Sequence, residues 1–239
     1  MPDLARKALA ELVGTAVLVA GVIGSGIAAT QLSPGDVGLQ LLENAAATVG
    51  VLVAVILALG SVSGAHLNPV VTLADRFFGG VTTREVFAYV PAQIGGGCLG
   101  AIAANAMFEA PLIELSTKAR ASGAHLFAEV VATFGLLLVI FGVVRSGRAS
   151  AAPFAVGAYI GGAYFFTSST SFANPAVTLA RTLSDTFAGI APSSAPAFIA
   201  AQLAGAALAV ACAAVLYPRL TEVAGEVLLP HQPTKEHVT

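Results

Sequence analysis

Asn68-Pro69-Val70-Val71-Thr72-Leu73-Ala74 returns 106 residues later as Asn174-Pro175-Ala176-Val177-Thr178-Leu179-Ala180. Each block reads as the start of a helix. Asn is a favoured N-cap, because its side chain accepts a bond from a backbone N–H of the first turn. Pro suits the first helical position, where its missing N–H would have lacked a partner anyway. A helix-compatible run follows each proline, Val70 to Gly79 and Ala176 to Asp185. Ten residues at 1.5 Å each span roughly 15 Å, half of a hydrocarbon core about 30 Å thick. The blocks predict two half-helices that enter from opposite faces of a bilayer and meet near its middle, positive ends facing.

Two more blocks repeat in the same order. Ala10-Glu11-Leu12-Val13-Gly14-Thr15 returns as Ala128-Glu129-Val130-Val131-Ala132-Thr133, and Ala92-Gln93-Ile94-Gly95-Gly96 as Ala201-Gln202-Leu203-Ala204-Gly205. Six long apolar segments surround them, at 8–30, 38–61, 84–107, 124–144, 151–168 and 196–217. Repeat one covers 8–107 and repeat two 124–217, with three spans each. An odd number of spans inverts the second copy relative to the first. Inverted repeats of this kind place the functional site near the midplane, where the copies meet. The expected fold is an all-α membrane protein of six transmembrane helices and two re-entrant half-helices. It forms one channel domain over 1–220, followed by a polar cytoplasmic tail at 221–239.

Composition agrees. Of 239 residues 56% are hydrophobic and 10% charged, where a soluble domain has about 25% charged. Mean hydropathy is +0.85. Net charge of -2 offers nothing to nucleic acid. The first apolar helix is too long for a signal peptide, lacks a small-residue cleavage site and is followed by further spans. Arg6, Lys7, Arg76, Arg84, Arg145, Arg148, Arg219 and Lys235 fall on one side, against Lys118, Arg120 and a re-entrant Arg181 on the other. That bias predicts cytoplasmic termini. Gly96 with Gly100, and Gly157 with Gly161, have the four-residue spacing that lets helices pack closely. Cys98 and Cys212 lie in apolar segments and read as packing thiols.

The expected centre has a definite chemistry. Two helix N-termini disfavour cations in a narrow pore. Asn68 and Asn174 offer N–H donors there to a neutral hydroxyl-bearing solute that has left water. The unwound stretches Ser63–Leu67 and Ser169–Ala173 present carbonyls, which is tolerable at membrane depth only beside a watery cavity or buried in protein. His66 reads as lining or bracing the pore and not as a metal ligand.

The chain resembles the major intrinsic protein family of aquaporins and aquaglyceroporins over nearly its whole length to about Leu220. The resemblance rests on Ser63-Gly64-Ala65-His66-Leu67-Asn68-Pro69-Val70-Val71-Thr72, on Asn174-Pro175-Ala176, on Glu11 and Glu129, and on the Ala-Gln pairs of the third and sixth spans. It implies a homotetramer in the inner (cytoplasmic) membrane, one pore per subunit, no cofactor, and passive flow of water or small neutral solutes. It also implies that Glu11 and Glu129 hold the two loops in place.

The chain departs from the family pattern at the outer filter. Its first block carries Val70, and Val177 stands where the family usually places Arg. Arg181, four residues on, is expected to miss that spot. Thr48 takes a position that usually holds an aromatic residue, and Ser171 the loop position. The fifth-span contributor is Tyr164 counting forward from Ala152-Pro153 and Gly162 counting back from Asn174, with Tyr164 preferred. A filter of Thr48, Tyr164 or Gly162, Ser171 and Val177 is expected to be wide and weakly charged. In this it is similar to the arsenical-permeating aquaglyceroporins of bacterial arsenic-resistance operons, the AqpS type. The implied solutes are arsenite, antimonite and methylated arsenicals, with glycerol and water.

Other readings remain at this point. A plain glycerol or water facilitator shares every motif. A proton-coupled secondary transporter can also have broken helices and inverted repeats, with Glu11, Glu43 and Glu129 as its carboxylates. An enzyme fits worst, since no nucleophile–base set, metal-ligand cluster or phosphate loop is legible.

Overall fold

The computed structural model describes residues 3–217. Arg219, Lys235 and the expected tail at 221–239 lie outside the described residues. Eight α-helices follow in order: α1 Asp3–Leu32, α2 Val37–Ser63, α3 Pro69–Phe78, α4 Thr83–Met107, α5 Gly123–Arg145, α6 Ala152–Phe166, α7 Pro175–Ala180 and α8 Ala195–Leu216. Six are long and apolar enough to cross a bilayer, α6 counting with the 3₁₀ turn Ala149–Ala151 before it. The helix ends carry their own signals. Asp36 caps α2 through Leu39 N–H, and Thr82 with Glu85 forms a capping box on α4.

The packing follows the repeat. α1 lies along α4 and α2, as α5 lies along α8 and α6. Each half-helix docks on the last long helix of the other repeat, α3 on α8 and α7 on α4, and the half-helices touch each other. The repeats also meet along α2 and α6. Phe87, Phe127, Phe154 and Val215 are exposed on the outside of the bundle, an apolar exterior that suits lipid or a neighbouring subunit.

Small residues make the α1–α4 contact possible. A Cβ added at Gly96 would overlap Leu12 O, and one at Gly100 would overlap Ala16 O. Both obstacles are backbone, so neither can rotate away. Gly205 stands in the same relation to Val130 O across α5 and α8. Gly157 and Gly161 face the Val53 and Val49 side chains of α2. Gly96→Ala is therefore expected to lower stability by about 1–3 kcal/mol. Gly161→Ala should do less, because Val49 can shift. Thermal unfolding of the two purified variants in detergent would check the order, and equal melting temperatures would refute it.

α7 differs from expectation. The predicted run to Asp185 stops at Ala180 and tightens into a 3₁₀ turn, Arg181–Leu183. Arg181 O, the acceptor that a helix running to Asp185 would need, takes Ile190 N–H at 3.3 Å, and the loop between α4 and α5 holds the turn that follows. Glu114 N–H donates to Leu183 O at 3.1 Å and Ser116 N–H to Thr182 O at 3.0 Å. α3 has no such competitor and keeps ten residues, closing on Gly79 in the left-handed region (φ 90°).

Candidate functional site: a pore between the two Asn-Pro blocks

The two loops before the half-helices have one conformation repeated. Left-handed residues fall at Gly64, Ala65 and Leu67, and again at Thr170, Ser171 and Ala173. Each pair is 106 apart, the spacing of the Asn-Pro blocks. Asn68 and Asn174 share φ of -156° and ψ of 119° and 112°. Left-handed backbone costs roughly 1–2 kcal/mol at each residue with a Cβ. Five of the six are such residues, so the loops need external support.

Glu11 and Glu129 supply it. Glu11 accepts from His66 N–H (2.9 Å), Leu67 N–H (2.7 Å), Ser63 Oγ (2.6 Å) and Gln93 Nε2 (2.7 Å). Glu129 accepts from Phe172 N–H and Ala173 N–H, both at 2.9 Å, and from Gln202 Nε2 at 2.7 Å. Gln93 and Gln202 also donate to Thr72 and Thr178, whose hydroxyls donate to Asn68 O and Asn174 O. The three repeated blocks of sequence thus converge on one network per repeat. All these side chains are buried.

At the centre the loops exchange bonds. Asn68 Nδ2 donates to Ala173 O and Asn174 Nδ2 to Leu67 O, each at 2.8 Å. Their Oδ1 atoms accept from Val70 N–H, and from Ala176 and Val177 N–H. A side-chain amide has two N–H donors, so each asparagine keeps one beyond this exchange.

Two narrow cavities lie on either side of Asn68, which lines both together with Leu136 and Ile160. The one on the Arg181 side, outer in the orientation expected from the basic residues, holds about 50 Å³ and is lined by Thr48, Tyr164, Ser171, Asn174, Val177 and Arg181 among others. The inner one holds about 40 Å³, with His66 and Val71 in its wall. Either has room for a few waters in file. Pro69, Val70, Pro175 and Ala176 are buried beside the central asparagines.

The Thr48 and Tyr164 hydroxyls meet at 3.0 Å in the wall of the outer cavity. Gly162, the other count for that position, lies on the exposed face of α6 with open space beside it. It is two residues, about 200°, from Tyr164 around the helix, so only one of the pair can face the lumen. His66 Nδ1 lies 3.1 Å from Thr72 Oγ1, and Nε2 lies 3.6 Å from Asp75 Oδ2. Among the described residues no group of three His, Cys, Asp or Glu is placed to hold a metal. Cys98 and Cys212 are free thiols. Glu43 bonds Ser33 near the start of α2, away from the central exchange.

Arg181 shares the wall of the outer cavity with Val177 while standing one helical turn beyond it. Asn174, Val177 and Arg181 are spaced i, i+3, i+7, one face of a helix. The 3₁₀ turn then folds the guanidinium inward onto the Phe172 ring, 3.4 Å from its centroid. Sequence reasoning also passed over Phe172 and Arg120, which no repeated block marks, and over Asp75, seven residues after Asn68.

The comparisons agree with this geometry. The family model Major intrinsic protein matches residues 1–173. Aquaglyceroporin AqpS of Rhizobium meliloti (strain 1021) is 46% identical over 209 residues, 87% of this chain and 89% of that protein. Aquaporin-9 of Homo sapiens is 31% identical over 183 residues, 66% of this chain and 61% of that protein. The X-ray structure of the aquaglyceroporin from Plasmodium falciparum superposes with a TM-score of 0.67. It covers 91% of this chain and 98% of that one at 21% identity, a likeness of fold.

Proposed function

The chain belongs to the major intrinsic protein family, small-solute membrane channels and not enzymes, and from that premise we propose that it conducts uncharged, hydroxyl-bearing solutes passively. Arsenite, antimonite and methylated arsenicals head the proposed solutes, with glycerol and water beside them. The observation that carries the reading is the outer cavity. Thr48, Tyr164 and Ser171 bring hydroxyls to one wall, and Val177 brings an apolar surface where a methyl group can lie. A trivalent arsenic hydroxide near neutral pH is neutral and polyhydroxylated, so it asks of the pore what glycerol asks. The free N–H of each central asparagine then replaces a water partner as the solute passes. The filter is proposed to be widened by Val177 and Thr48, two small side chains at positions that carry larger ones in the family pattern.

The assembly is proposed to be a homotetramer in the inner membrane, with both termini in the cytoplasm. Arg76, Arg84, Arg145 and Arg148 at one end of the bundle support this orientation. Glu11 and Glu129 are proposed as loop supports, since every partner named above donates to them and their oxygens are occupied. That speaks against a proton-coupled transporter.

The test is a flux panel in proteoliposomes: water, glycerol, arsenite and methylarsenite, each with and without a proton gradient. Downhill flux of arsenite and glycerol, indifferent to the gradient, is expected. Accumulation driven by the proton gradient would replace the channel with a transporter. Arsenite flux no faster than in empty vesicles, beside normal glycerol flux, would leave a plain glycerol facilitator.

A further inference from the structure

The inverted repeat pairs residues 106 apart, and at two of those pairs the chemistry is opposite. His66 pairs with Phe172, and Asp75 with Arg181. On the inner side His66 Nε2 lies beside Asp75 Oδ2, both side chains buried. On the outer side the Arg181 guanidinium carbon lies 3.4 Å from the centroid of the Phe172 ring. A second guanidinium, that of Arg120 from the α4–α5 loop, approaches the same ring at 5.2 Å. Both arginines are buried, at 2% and 7% exposure.

Neither cation has a carboxylate within ion-pair distance among the described residues. Their protein partners are carbonyls. Arg181 Nε donates to Ala188 O. Arg120 Nε donates to Gly189 O at 2.9 Å and Nη1 to Ser169 O at 3.3 Å. Arg181 has no hydrogen bond from either Nη atom to the described residues, and it lines the outer cavity. Glu129 of α5 already accepts three donors, two of which are backbone N–H groups of the loop. Close by, Lys118 is pushed down to about 8, by partial burial first and then by the Arg120 and Arg181 cations.

Unpaired buried charge is costly to keep, and here two like charges share one aromatic ring. An aromatic face attracts a guanidinium and holds its plane, so Phe172 fixes both charges at the mouth. A fixed cation in a narrow low-dielectric passage repels entering cations strongly and acts weakly on neutral solutes.

We propose that Arg181, with Arg120 behind it across the Phe172 ring, is the cation barrier of this pore, the charge that Val177 does not supply. The barrier stands one helical turn outside Val177. The constriction next to the central asparagines is thereby left to Thr48, Tyr164 and Val177, which sort neutral solutes by size. This rests on the channel reading above and adds the source of its charge selectivity.

The test is potassium leak in proteoliposomes under an imposed potassium gradient, read beside glycerol flux in the same vesicles. Arg181→Gln is expected to raise potassium leak by roughly tenfold or more over the wild-type protein. Arg181→Lys keeps the charge and should stay near the wild-type leak. Arg120→Gln, one step from the lumen, should leak at an intermediate level. If Arg181→Gln does not assemble, Arg120→Gln alone decides, its leak standing for the proposal and its tightness against it. A folded Arg181→Gln channel as tight to potassium as the wild-type protein overturns the assignment. Absence of glycerol flux in the wild-type protein would instead overturn the channel reading, so the two failures are distinct.

Discussion

Replacing Val177 by arginine is expected to cut methylarsenite uptake by roughly tenfold or more, the effect of 1.4 kcal/mol added to the barrier, while water flux falls less. Val177 is buried and lines an outer cavity of only about 50 Å³. An arginine there extends into the lumen, because its neighbours on the half-helix are fixed backbone and the opposite wall is the Thr48–Tyr164 pair. Arg181 sits four residues away on the same face, so two guanidiniums would repel each other at helical-neighbour distance. One of them must lean further into the passage. Charge at the mouth is already present through Arg181, so the new arginine changes the gap more than the field. A neutral solute interacts weakly with a fixed charge, but it cannot pass a gap narrower than itself.

Thr48→Phe separates the two effects. It adds bulk without charge and removes the hydroxyl that Tyr164 meets at 3.0 Å. Comparable losses of methylarsenite flux in the two variants, with potassium leak unchanged, are expected if width governs passage. Loss confined to Val177→Arg would give the charge at 177 the larger role. Unchanged methylarsenite uptake in a folded, inserted Val177→Arg channel would remove residue 177 from the constriction altogether. Uptake into vesicles containing each variant, with water flux measured by light scattering, makes the comparison.

The legible part of this molecule was the part written twice. Asn68 and Asn174 announce their roles through the cap, the proline and the matching blocks, and the structure places both at the loop exchange. Glu11 with Gln93, and Glu129 with Gln202, were each marked by a copy, and each copy makes the same bonds. What sequence could not give was set where the copies differ. The end of α7 is set further along the chain, where Ile190 N–H takes Arg181 O, the acceptor a longer helix would need. A helix extrapolated from its N-cap contains no information about that competitor. The choice between Tyr164 and Gly162 turned on where a deletion fell, and only the observed face of α6 decides it.

Arg181 is the instructive case. Its spacing from Asn174 and Val177 already put it on the lumen face by helical periodicity. The opposite characters of Asp75 and Arg181 were likewise visible as a break in the repeat. A mismatch just beyond a matched block points to the two mouths of the passage, whereas the matched residues form the shared centre.

Glu11→Gln and Glu129→Gln are expected to lose roughly 2–5 kcal/mol of stability each, the cost of exchanging a charged acceptor for an amide among buried donors. Every Glu11 partner named above is a donor: two backbone N–H groups, the Ser63 hydroxyl and the Gln93 amide. Glutamine keeps the shape but turns one acceptor oxygen into a donor. Whichever way the amide faces, at least one buried N–H then meets another N–H. The left-handed residues Leu67 and Ala173 would lose the bonds that offset their strain. Glu11→Gln should be the less severe at Ser63, whose hydroxyl can turn to accept, so both variants reduce to the same conflict at two backbone N–H groups. Similar losses at the two sites are therefore expected, and in neither should a proton gradient begin or cease to matter. Thermal unfolding and the yield of assembled protein measure the first point, and solute flux with and without a gradient measures the second. A Glu→Gln variant that assembles normally and loses gradient-driven uptake would make that carboxylate a proton carrier and the protein a transporter.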